Sequence, residues 1–181
     1  MKNIIYLLFL ISFSITAQTK YFTKTGTVNF EASVPSFEEV RASHNVVTAI
    51  INTDNGELAA LALIKGFRFK NALMEEHFNE NYAESDTYPK ATFKGKISDF
   101  SLEKLSSKKQ SFVINGQLTF HGKTIQLENS TVEIAIDDDI IVISGSFSAS
   151  ASEFEIDIPK VVRSKIASNI DVSFSFNLKK K

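Results

Sequence analysis

Residues 71–95 read NALMEEHFNENYAESDTYPKATFKG, and this stretch carries most of the information about the fold. Its first half predicts a short amphipathic helix. The apolar face of that helix carries Leu73, Met74, His77, Phe78 and Asn81 or Tyr82. Pro89 cannot continue a helix, and the residues after it alternate in polarity as a strand does. A lone helix beside strands favours a cap over one end of a β-barrel.

A period of two dominates the rest of the chain. In residues 171–178, for example, apolar side chains alternate with Asp, Ser and Asn, which predicts a strand with one buried and one wet face. Eight strands are predicted in this way, at residues 21–34, 44–53, 57–65, 90–100, 110–121, 123–136, 140–150 and 169–179.

The connections carry their own signals. Residues 54–56, Asp-Asn-Gly, predict a hairpin, because Asn-Gly tolerates the positive φ of tight turns. The three aspartates at 137–139 are interpreted as a solvated turn and not as a calcium loop, which needs further oxygen ligands at set spacing. A second, weaker helical stretch is expected at 159–168. The chain shows no internal repeat, which predicts one domain.

Eight antiparallel strands can close into a barrel, which removes the exposed edges that favour aggregation. A barrel of this size is either filled by side chains or holds one small ligand. A two-sheet sandwich has the same alternation, so the local pattern leaves both architectures open.

The first seventeen residues are expected to be a secretory signal peptide. Lys2 provides the positive start, residues 4–15 form an apolar run, and Ala17 ends a cleavage site. The run is shorter than the roughly 20 apolar residues that a membrane span requires. We therefore expect a mature domain at residues 18–181, located in the periplasm of a Gram-negative bacterium or secreted.

Composition argues against several classes of protein. Without Lys2, 19 basic residues face 21 acidic ones, so no electrostatic reason exists to expect nucleic acid or strong attraction to an anionic membrane. Stable membrane insertion is not expected either. The chain has no cysteine, which excludes disulfides and thiolate metal sites within it. Sixteen Phe and no Trp suit an apolar interior that offers no polar group in need of a partner.

Signals for catalysis are weak. His44, His77 and His121 lie in different elements without metal-ligand spacing, and no Gly-x-Ser-x-Gly segment is present. No catalytic residue, metal or cofactor is therefore expected. His77 is interpreted either as a packing residue or as a polar contact to a ligand head group. His121 is interpreted as a side chain that stabilises a turn.

Four segments resemble those of the YceI-like family. They are LMEEHF at 73–78, YPKATFKG at 88–95, GQLTFHGKT at 116–124 and SEFEI at 152–156. The last departs from the family pattern at Glu153 and Glu155, which weakens any expected head-group contact there. The resemblance implies an all-β, eight-stranded antiparallel lipocalin-like barrel with one short helix capping an end. It also implies an elongated apolar cavity that binds polyisoprenoid or similar long-chain lipids.

The expected function is therefore non-catalytic binding and transport of an apolar lipid, such as a polyisoprenoid, an isoprenoid quinone or a fatty amphiphile. The residues expected to contact it are Val28, Phe30, Phe69, Leu73, Met74, His77, Phe78, Phe93, Ile97, Phe112, Ile114, Leu118, Phe120, Ile134, Phe154, Val172, Phe174 and Phe176.

Two alternatives stay open at this stage. One is a structural or stress-related periplasmic protein with a filled core that acts through protein partners. The other is an enzyme on a lipid substrate with His77 as its general base. A homodimer is a further expectation that the sequence does not decide.

Overall fold

The computed structural model describes residues 19–35 and 37–181, so the predicted signal peptide lies outside the described residues. Nine antiparallel strands account for most of this part of the chain. Their bounds are β1 Lys20–Ser33, β2 Arg41–Asn52, β3 Glu57–Leu63, β4 Arg68–Phe69, β5 Lys90–Ile97, β6 Gln110–Phe120, β7 Lys123–Asp137, β8 Ile140–Ser150 and β9 Ile166–Lys180.

The eight long strands close into a barrel. Their order around it is β1, β9, β8, β7, β6, β5, β3 and β2, and β2 pairs again with β1. The prediction of an eight-stranded antiparallel barrel is confirmed, and the sandwich alternative is excluded by the β1–β2 pairing. The two-residue strand β4 adds to β2 beside Ala42 and Ser43. It was not predicted, because two residues are too few to show an alternation.

The predicted helix is present between β4 and β5. It comprises α1, Ala72–His77, and continues as one wider turn over Phe78–Tyr82. The Asn71 side chain caps it by accepting the backbone N–H of Leu73 at 2.9 Å, which satisfies one of the free donors at the helix start.

The second predicted helix is only one turn long. It forms α2, Lys160–Arg163, instead of the expected 159–168. Strand β9 begins already at Ile166, which pairs with Ser33 of β1. Sheet pairing therefore takes over residues that the periodicity assigned to a helix.

The Asp-Asn-Gly hairpin is confirmed between β2 and β3. Gly56 has a φ of 74°, and the Asn52 side chain accepts the backbone N–H of Asp54 at 3.0 Å. This hairpin lies at the barrel end opposite α1, together with the turn at 137–139 that joins β7 to β8. The longer β5–β6 connection, residues 98–109, lies at the same end, since Phe100 contacts Gly56.

The two halves of the barrel are filled differently. In the half near the tight turns, many inward side chains are at most 1% exposed, among them Ile51, Ile97, Ile134, Ile143 and Leu178. In the half near α1, inward residues such as Phe30, Phe93 and Phe174 are only partly buried. The packed core therefore closes one end of the barrel and leaves the other half hollow.

Candidate functional site: an apolar cavity under the helix

An apolar cavity of about 200 Å³ occupies the hollow half of the barrel. Its surface is almost entirely apolar, and no charged side chain lines it among the described residues. Six Phe side chains supplied by barrel strands contribute to its wall: Phe30, Phe93, Phe120, Phe147, Phe174 and Phe176. Such a wall offers burial without directional contacts, so it suits an apolar molecule.

Two Phe rings at the base of the cavity lie against glycines of neighbouring strands. Phe174 is the cross-strand partner of Gly145, and an added Cβ there would approach the ring to 2.8 Å. Phe176 covers Gly26 in the same way, at 2.5 Å from an added Cβ. The two rings stack on each other with centroids 5.2 Å apart. The glycines thus give the rings room against the wall.

A third Phe ring packs on glycines in the same way, on the opposite wall of the barrel. Phe93 lies over Gly95 and over its cross-strand partner Gly116, with its ring tip 2.5 and 2.6 Å from the Cβ positions that these glycines lack. A side chain at Gly116 would also meet the Lys94 carbonyl oxygen at 2.6 Å. The base of the cavity therefore depends on three Phe rings that lie against four glycines.

The helix contributes one aromatic side chain to the cavity. Phe78 packs against Phe30 of β1 and Phe69 of β4 with centroids 5.3 and 5.2 Å apart, and against Phe67 at 5.9 Å. Phe67 and Phe78 also line the cavity. These four rings form an aromatic cluster between the helix and the barrel, which confirms that the helix caps this end.

The orientation of α1 differs from the sequence expectation. The Glu75 carboxylate accepts the Arg68 guanidinium at 2.9 Å and the Phe69 backbone N–H at 3.1 Å. This anchor turns the Glu75 side of the helix toward β4 and leaves Leu73 and His77 exposed. The prediction that these two residues belong to the inner face is therefore wrong, because the hydrogen bonds of Glu75 to β4, and not apolar periodicity, set the helix rotation.

One histidine is buried beside the aromatic cluster. His44 is 3% exposed, its Nδ1 accepts the Val46 backbone N–H at 3.1 Å, and its ring meets Phe67 edge-on at 5.2 Å. Burial lowers the pKa of His44 below its usual value. The nearby Leu63 backbone opposes this lowering of the His44 pKa, and the Arg68 charge adds to it. The imidazole is thus held neutral, with Nε2 carrying the proton because Nδ1 is an acceptor.

A second histidine ties three segments of the rim together. His121, in the β6–β7 turn, has its Nδ1 3.0 Å from the Phe154 carbonyl oxygen. Tyr88 packs edge-on against its ring at 4.7 Å, and the Glu84 carboxylate lies 3.4 Å from Nε2. His121 therefore stabilises not only its own turn, as expected, but also the segment after the helix and the one that follows β8.

The cavity wall contains eleven of the eighteen residues expected to contact ligand. They are Val28, Phe30, Phe78, Phe93, Ile114, Leu118, Phe120, Phe154, Val172, Phe174 and Phe176. Their contact with a ligand stays a prediction.

The other seven lie elsewhere. Ile97 and Ile134 belong to the packed half, and Phe112 packs there against Phe100 at 6.4 Å. Phe69, Leu73, Met74 and His77 belong to β4 and α1 and do not border the cavity. Alternation gave the correct inward face on the strands but did not tell which inward residues meet empty space.

Sequence reasoning missed several residues of the wall. Phe147 and Ala149 alternate on the inner face of β8 and could have been found by the period of two. Leu127 was obscured by a register shift between β6 and β7 near residue 115. Phe67 lies in a short irregular segment, where no periodic signal exists.

Two further observations concern the described residues alone. No group of three or more His, Asp or Glu side chains in residues 19–35 and 37–181 is arranged to hold a metal ion. Within the same ranges, no helix has the length and hydropathy needed to cross a membrane.

A closed eight-stranded barrel with an internal apolar cavity and a helix at its open end defines a lipocalin-like β-barrel protein. The YceI-like domain matches residues 11–178, so the chain belongs to the YceI-like family. The comparison with curated proteins finds no match.

Solved structures share the fold at low sequence identity. A polyisoprenoid-binding domain from Saccharophagus degradans, implicated in plant cell wall breakdown, aligns with a TM-score of 0.78 at 14% identity, covering 91% of this chain and 100% of that one. Burkholderia cenocepacia BcnA aligns with a TM-score of 0.69 at 16% identity, covering 84% and 95%. The Campylobacter jejuni YCEI protein gives 0.57 at 15% identity, covering 80% and 88%.

Proposed function

We propose that this protein binds an apolar long-chain lipid in the barrel, as a carrier and not as an enzyme. The observation that carries the proposal is the hollow half of the barrel, whose wall is apolar and uncharged while the other half is packed solid. A merely structural barrel gains stability by filling its interior, because each unfilled volume loses packing energy.

The energetics favour a lipid over a polar ligand. Burial of apolar surface contributes about 25 cal/mol per Å², so a hydrocarbon chain gains several kcal/mol without any hydrogen bond. The side chains of the wall include only Ser and Thr as polar groups. A polar ligand would lose its hydration there without compensation.

A structural relative supports the choice of ligand class. The Saccharophagus degradans relative is a polyisoprenoid-binding domain, and we propose the same class, a polyisoprenoid or an isoprenoid quinone, for this chain. We further propose export by the signal peptide at residues 1–17, which places the carrier in the periplasm or outside the cell. The homodimer stays a prediction.

Native mass spectrometry with organic extraction tests the proposal. The mature chain is purified from its bacterial host without detergent, and we expect an adduct that extracts as a long-chain lipid. The same spectrum reports whether two copies associate. A clean apo mass, with no uptake of added polyprenol or quinone, would overturn the carrier function and favour a protein that acts through protein partners.

A further inference from the structure

The cavity has a closed lower end. On β9, the residues that line it run from Ile170 to Phe176. Six steps of about 3.4 Å span about 20 Å along the strand, and a strand tilt of about 40° reduces this to a depth of about 15 Å along the barrel axis. Strand β9 continues for four more residues, to Lys180. The hollow part is therefore less than half the length of this strand.

The floor is made by residues that follow the wall on the same faces of their strands. Leu178 comes two positions after Phe176, and Ile134 comes two positions after Val132. Ile143 pairs directly with Phe176 from β8. Leu178, Ile134 and Ile143 are fully buried, so the part of the chain that the structure describes leaves no channel between them.

Phe176 forms the contact surface between the cavity and this floor. It lines the cavity although only 3% of it is exposed. Its ring is held between Phe174, which stacks on it at 5.2 Å, and the Cβ-free surface of Gly26. It cannot move downward without displacing Ile143 or Leu178.

We propose that Phe176, supported by the packed layer beneath it, sets the maximum length of hydrocarbon chain that the barrel accommodates. The inference rests on the proposed lipid-binding function and adds a specificity determinant to it. A chain enters from the helix end and gains affinity with each carbon until its tail reaches Phe176. Any further carbons remain in water at the helix end of the cavity and add nothing to the affinity.

A homologous series of n-alkanols tests this limit. Dissociation constants are measured by displacement of a fluorescent naphthalene sulfonate from the mature protein. Each buried methylene contributes about 0.8 kcal/mol, so affinity should rise about fourfold per added carbon and then reach a plateau. In Phe176→Ala the plateau should begin several carbons later, because the space of the ring joins the cavity.

Phe112→Ala is the matched control. It removes the same ring from the packed half, where Phe112 faces Phe100 and does not border the cavity. Its plateau should begin at the same chain length as in the wild type. Phe176→Leu provides a smaller truncation, and hence a smaller displacement of the plateau, where the alanine variant does not fold.

The outcomes separate this inference from the function it rests on. Binding without a plateau, a plateau that Phe176→Ala and Phe176→Leu leave in place, or an equal displacement in Phe112→Ala would overturn the length limit alone. If no alkanol displaces the fluorescent probe from the wild-type protein, and the protein carries no extractable lipid, the carrier function is refuted and the length limit with it.

Discussion

Replacing Phe174 by glutamate places a carboxylate in the wall of the cavity, and its effect on lipid affinity can be worked out from the structure. The position faces Gly145 and stacks on Phe176. Among residues 19–35 and 37–181, no basic side chain lines the cavity to pair with a carboxylate there. A bound lipid would strip water from the charge. The side chain is therefore expected to take up a proton when lipid binds.

Protonation limits the cost of this substitution. An ordinary glutamate pKa of about 4.3 lies about 2.7 units below neutral pH, and each unit costs about 1.4 kcal/mol, so neutralisation costs about 4 kcal/mol. The dissociation constant for an alkanol or polyprenol should rise several hundredfold at neutral pH. It should recover by about tenfold per unit as the pH is lowered toward 5, since free protons then supply the neutral form.

Two variants isolate the charge from other effects. Phe174→Gln has a similar shape without charge and should show a smaller loss that is independent of pH. Ser175→Glu places the same charge on the exposed outer face of β9 and should bind as the wild type does. Unchanged lipid affinity in a folded Phe174→Glu would refute the assignment of Phe174 to the binding wall. An equal loss in Phe174→Gln at every pH would refute the argument that the carboxylate charge causes the loss.

Three further predictions follow from the helix anchor, the buried histidine and the glycine contacts. Glu75→Gln weakens the anchor of α1 and should speed lipid transfer to acceptor vesicles about fivefold, for about 1 kcal/mol of hydrogen bonding lost. Glu76 is exposed, so Glu76→Gln should leave the transfer rate unchanged. Equal transfer rates in the two variants would exclude a gating role for the helix. Because folding lowers the pKa of His44, the unfolded chain takes up the proton at a higher pH than the folded chain does. As the pH drops below the ordinary His value of 6.5, the free energy of unfolding should therefore decrease, by up to about 1.4 kcal/mol per pH unit. Urea unfolding at several pH values measures this pH dependence, which should disappear in His44→Gln and persist in the exposed His77→Gln. A pH dependence that persists in His44→Gln would contradict a buried, neutral His44 as its cause. Gly26→Ala forces the adjoining Phe ring from its place and should reduce the free energy of unfolding in urea by about 1–3 kcal/mol; an unchanged value would show that the ring has room to spare.

The barrel could be predicted from the sequence, whereas for the helix the position along the chain could be predicted but not the orientation. Strand alternation depends on each residue's own polarity, so all eight long strands could be predicted locally. Their inward faces could be predicted only where polar and apolar residues alternate, which β2 and β3 do not show because both of their faces are largely apolar. The rotation of α1 could not, because it is set by Glu75 accepting Arg68 and the Phe69 N–H from β4. That strand is two residues long and shows no pattern of its own.

Whether the barrel is hollow or filled depends on register and not on any single strand. Phe174 and Leu178 share the inner face of β9, yet one borders the cavity and the other is fully packed. The difference comes from their cross-strand partners. Gly145 opposite Phe174 lets the ring lie flat on the wall, whereas Ile141 opposite Leu178 fills the space between them. Inward glycines on neighbouring strands therefore mark the hollow part of this barrel. They predict a cavity only when it is known which residues they face across the strands.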